Sequence, residues 1–81
     1  MTLDEAIDDL VSRIKGASPE AVIRIKRRSG EEASIRAYAP VDHEEAIKSA
    51  TQEVTLKLLT EDGLDVQVLV YDIATSLPPS E

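Results

Sequence analysis

The chain has 81 residues, 42% of them apolar and 31% charged, and a net charge of -7 at pH 7. That is enough for one small core and too little for two domains. It contains no cysteine, which excludes a disulfide framework, a thiolate metal site and a thiol nucleophile, and no apolar run approaches the ~20 residues a membrane-crossing helix needs.

The core must be aliphatic, because Phe and Trp are absent and the only tyrosines are Tyr38 and Tyr71. The opening residues MTLDEAIDD are acidic and amphipathic, unlike a signal peptide, and a cytoplasmic protein is expected. Charge is unevenly spread. Residues 1–23 carry net -3, residues 24–36 net +3, and residues 37–81 net -7.

Leu3, Ala6, Ile7, Leu10, Val11 and Ile14 follow the spacing of one buried helical face and predict a helix over 3–15. Thr2 and Glu5 make a capping box at its start, and Gly16 is the expected stop.

The period then changes to two. Ala21, Ile23 and Ile25 alternate with Val22, Arg24 and Lys26; after a turn, Ala33, Ile35 and Ala37 alternate with Ser34, Arg36 and Tyr38. This predicts a hairpin of two half-buried strands. Odd-numbered residues point inward on both strands, so paired positions must sum to an even number. A loop of Arg28, Ser29 and Gly30 satisfies this, with Gly30 in the left-handed position of a G1 bulge. It pairs Ile25 with Ala33 and Ile23 with Ile35, and it matches Arg27 to Glu31 and Lys26 to Glu32 at the tip.

Pro40 ends the second strand. Asp42 and Glu45 are the expected caps of a helix over 43–61, with Ile47, Ala50, Thr51, Val54 and Leu58 facing inward and Asp62-Gly63 closing it. The last strand is expected over Leu64 to Ile73, with Val66, Val68 and Val70 on one face and Gln67, Leu69 and Tyr71 on the other. Residues 1–73 form the expected domain and 74–81, which include Pro78 and Pro79, a flexible tail.

The expected fold is α+β: a two-layer α/β sandwich in the order α-β-β-α-β. Its three-stranded mixed sheet, in strand order 2-1-3, carries both helices on one face. The order of elements is similar to that of type II KH-like domains and BolA-like proteins, and the hairpin-helix-strand portion resembles alkaline shock proteins. KH domains carry a GXXG loop between two helices, where this chain has one helical pattern and no GXXG. The likeness is one of topology, and topology does not transfer function.

Nothing in the sequence points to catalytic, cofactor-binding or metal-ligating residues. The only histidine, His43, lies in DHEE, where a helix start disfavours a cation. No serine has a histidine at a suggestive spacing, and each of the three glycines has a turn or cap role. The candidate partner surface is the sheet face the helices leave open, represented by Val22, Arg24, Lys26, Arg36, Tyr38, Leu69 and Tyr71. Tyr and Arg are enriched where proteins meet.

The expected function is a non-catalytic protein-binding or self-associating module, with a protein partner or a homodimer and no membrane. The uncharged run VQVLVY on an edge strand favours pairing with another copy. The alternative is a KH-like nucleic-acid binder using the basic hairpin and the tyrosines, which the overall negative charge opposes.

Overall fold

A computed structural model describes residues 2–75. Helix α1 spans Leu3–Ala17, strands β1 and β2 span Val22–Arg27 and Glu32–Ala39, helix α2 spans Glu44–Lys57, and strand β3 spans Asp65–Asp72. Residues 76–81 of the expected tail lie outside the described residues. Among the described residues no helix is long and apolar enough to cross a membrane.

The capping box forms as its spacing requires: the Glu5 N–H donates to Thr2 Oγ1 at 3.2 Å and the Thr2 N–H donates to Glu5 Oε1 at 2.9 Å. The helix then runs through Gly16 and ends at Ser18, whose N–H donates to the Ile14 carbonyl at 2.8 Å. Pro19, not glycine, sets the limit, because it cannot extend the helix.

Paired positions still sum to an even number, but the register is shifted by two, and Ile25, expected to point inward, is 41% exposed near the end of the edge strand. Ile25 faces Ile35, Ile23 faces Ala37, Arg24 faces Arg36 and Arg27 faces Ala33. The loop is therefore Ser29-Gly30-Glu31, closed by the Arg28 N–H donating to the Glu32 carbonyl at 2.9 Å. Ser29 Oγ accepts from the Glu31 N–H at 3.2 Å, a local serine turn that needs no left-handed residue. Gly30 accordingly does not have positive φ; Gly63, at φ 66, is the described residue that does. The expected Arg27–Glu31 and Lys26–Glu32 pairs are not formed. Arg27 instead reaches Asp4 of α1 at 2.7 Å, and Lys26 faces Ser34.

The sheet order is β1-β2-β3, which corrects the expected 2-1-3. The hairpin's second strand lies in the centre, antiparallel to β1 and parallel to β3. The two edges differ in chemistry. Arg24, Lys26 and Arg27 make β1 a charged edge, of the kind that resists pairing. On β2 both faces are largely buried, as a central strand requires.

Helix α2 is entered through a 3₁₀ turn at Val41–His43, with no side-chain cap from Asp42. It leaves through a π turn at Leu58–Asp62 that Gly63 closes in the left-handed conformation. Leu3, Ala6, Ile7, Leu10 and Ile14 of α1 pack with Ile47 of α2, with Ala33, Ile35, Ala37 and Ala39 of β2, and with Val66 of β3. The β2 residues of this cluster alternate along one face, and Val66 stands opposite Ala33 on that same face, so both helices lie on the same face of the sheet.

Candidate functional site

The register arranges the uncovered face as a grid. Val22, Tyr38 and Tyr71 form one rung, Arg24, Arg36 and Leu69 the next, and Lys26, Ser34 and Gln67 the third. All seven residues of the candidate surface fall on it, with net charge +3 on nine positions of a chain whose total is -7. These three rungs carry no carboxylate, and the next rung on the same face pairs Glu32 with Asp65.

The tyrosines are not two free platforms. Tyr38 is only 5% exposed, and its ring stacks on Tyr71 with centroids 5.2 Å apart and planes 22° from parallel. Such a pair is held by its own offset stacking. The arginines are less settled. Arg24 and Arg36 stand directly opposite each other, and the ion pairs among the described residues involve neither.

A second feature lies beside the grid. The N–H groups of Asp65 and Ile73 donate to the Glu31 and Ala39 carbonyls of the β2 side. Alternation along a parallel strand therefore turns the backbone groups of Val66, Val68 and Val70 toward the free edge of the sheet. Over that edge hangs the part of α2 that carries Lys48, Gln52, Thr55 and Leu56, followed by Leu59 of the π turn. These residues repeat at helical spacing and bound a groove of about 650 Å³ with Val66, Val68 and Leu69. Leu56 is 60% exposed and Leu59 53%. Sequence reading assigned α2 a single inward stripe. A second stripe at 48, 52, 55, 56 and 59 was legible in the same spacing.

Ser18 and His43 also meet, at 2.7 Å between Oγ and Nδ1, a pair missed because the two lie far apart in the chain. Ser18 is fully buried and its hydroxyl is already partnered by His43, so the bond is an internal tie. Among the described residues no group of His, Asp and Glu converges to hold a metal ion. No family model, no curated protein and no solved structure matches the chain.

Proposed function

We propose that this protein is a non-catalytic module that acts through protein contacts, beginning with a second copy of itself paired along β3. The observation that carries this reading is the free, uncharged β3 edge beneath an overhanging helical stripe. Six consecutive residues, Val66 to Tyr71, carry no charge, and their outward backbone groups are a ready template for a further strand.

A second copy suits the groove for two reasons. Its lining includes one acid, Asp65, and one base, Lys48, so it is neutral in a chain of net charge -7 and does not repel its own kind. Antiparallel pairing of β3 with its symmetry mate also brings the two α2 stripes together on the same side of a six-stranded sheet. The exposed Leu56 and Leu59 then cover each other, as an isologous contact requires.

The nucleic-acid reading has less support. Base stacking needs an open aromatic face, and Tyr38 spends its ring on Tyr71.

Light scattering over a concentration series tests the proposal. A dimer mass that appears by high micromolar concentration, and is lost in the Leu56→Glu, Leu59→Glu double variant with the fold retained, is expected. One-chain mass throughout, or a dimer indifferent to both substitutions, overturns it.

A further inference from the structure

The open face poses a physical problem that dimerisation does not solve, because edge pairing extends the sheet in its own plane and leaves this face uncovered. Like charges directly opposite on antiparallel strands are destabilising. Yet Arg24 faces Arg36 near the middle of the hairpin, in a chain with 16 acidic residues available to separate them. The next rung pairs Lys26 with Ser34. The four side chains form a block about 5 Å across the strands and ~7 Å along them. It contains two guanidiniums, an ammonium and a hydroxyl.

The hydrogen bonding of this block is incomplete. The buried side-chain polar atoms without a partner among the described residues are Arg24 Nε, Arg36 Nε and Ser34 Oγ. All three belong to the same block. Ser34 is 4% exposed, so bulk water does not readily replace the missing partner. Arg24 places one terminal NH₂ on the Ile23 carbonyl at 3.2 Å, which leaves its Nε edge for something else. Buried donors of this kind are normally satisfied, and planar guanidiniums are matched to oxyanions.

We infer that Arg24 and Arg36 bind one phosphate-type oxyanion between them, with Ser34 as a third donor and Lys26 as a flanking charge. The three positive charges favour a dianionic phosphate monoester over a monoanionic carboxylate, and the Glu32–Asp65 rung beyond Lys26 and Ser34 on the same face is the acidic border of the block. Leu69 and Tyr71 on the same face offer apolar contact to the group that carries the phosphate. The acidic remainder of the surface turns away extended polyanions, so the block selects a small phosphate in place of a nucleic-acid backbone. The ligand relieves the Arg24–Arg36 repulsion, and the free protein holds the two charges together without it.

The test follows the arginine Nε–H signals by NMR in phosphate-free buffer, titrating inorganic phosphate at constant ionic strength with acetate as the parallel titrant. Saturable shifts at Arg24 and Arg36, with a dissociation constant on the order of 1 mM and a weaker response to acetate, are expected. The same result is expected for the Leu56→Glu, Leu59→Glu variant, which separates this site from the dimer. Arg24→Gln and Arg36→Gln should each abolish saturation while raising the phosphate-free melting temperature by a few degrees, since each removes a like-charge contact. Uniform, non-saturating shifts of all arginines, an equal response to acetate, or variants that bind normally and melt lower each overturn the inference.

Discussion

Ser18 Oγ lies 2.7 Å from His43 Nδ1, so the residue that ends α1 is tied to the residue that precedes α2. The bond joins two chain reversals 25 residues apart at one end of the sandwich. Ser18→Ala should cost roughly 1 kcal/mol, the net worth of a typical internal hydrogen bond. His43→Gln should cost a similar amount, and the double variant little more than either alone. Denaturant melts of the four proteins measure this; strictly additive losses would mean that the contact contributes nothing.

Gly63 and Gly30 should respond in opposite ways. Gly63 has φ 66, where a side chain costs about 1–2 kcal/mol, although nothing lies within 4 Å of an added Cβ. Gly30 has the same free space and no positive φ. Gly63→Ala is therefore expected to destabilise by about 1 kcal/mol, and Gly30→Ala to be neutral or mildly stabilising through the unfolded chain. Equal effects in paired thermal melts would contradict the two turn geometries.

These glycines also mark where the sequence was legible and where it was not. The capping box at Thr2 and Glu5, the five buried positions of α1 and the parity of the hairpin are local, and local periodicity reveals them. The register depends on whether Ser29 or Gly30 shapes the turn, and both are good turn residues. Sheet order is a global choice. In hindsight its signs were present in the basic residues of β1, which suit an edge, and in the small alanines of β2, which suit a centre. The grid followed from parity alone, but the Arg24–Arg36 opposition needed the true register. The burial of Tyr38 needed the stacking partner that sheet order supplies.

Tyr38 is consequently a poor probe of binding. A side chain 5% exposed and stacked on Tyr71 should cost about 3 kcal/mol or more when cut to alanine, as large buried side chains do. Tyr71→Ala, from a half-buried site, should cost clearly less. Urea denaturation compares the two; a larger loss at Tyr71 would reverse their structural ranks.

The capping box has a pH signature. Hydrogen bonds from the Thr2 backbone, and then from its hydroxyl, hold the Glu5 carboxyl below the ordinary glutamate value. A folded-state pKa below the unfolded one contributes stability above the unfolded pKa, and that contribution disappears as pH falls through the folded value. Glu5→Gln should therefore flatten the acid side of the stability profile while leaving its shape near neutrality unchanged. Carboxyl NMR titration should show Glu5 protonating at lower pH than in the Thr2→Ala variant. Coincident titration of Glu5 in the two proteins would refute the Thr2 hydroxyl as a contributor and leave the backbone N–H as the cause.

The central position of β2 also orders the folding reaction. β1 finds β2 across a short loop, a closure of low entropic cost, whereas β3 reaches β2 only after α2 has formed and crossed over, since Glu32 pairs with Asp65. The hairpin with α1 is the natural nucleus, and the parallel ladder condenses onto it late. Val66→Ala should then accelerate unfolding with little change in the folding rate, while Ile35→Val should slow folding. Until β3 docks, one side of β2 stays open to any other extended chain, so encounters in that interval set how prone this protein is to exchange strands between copies.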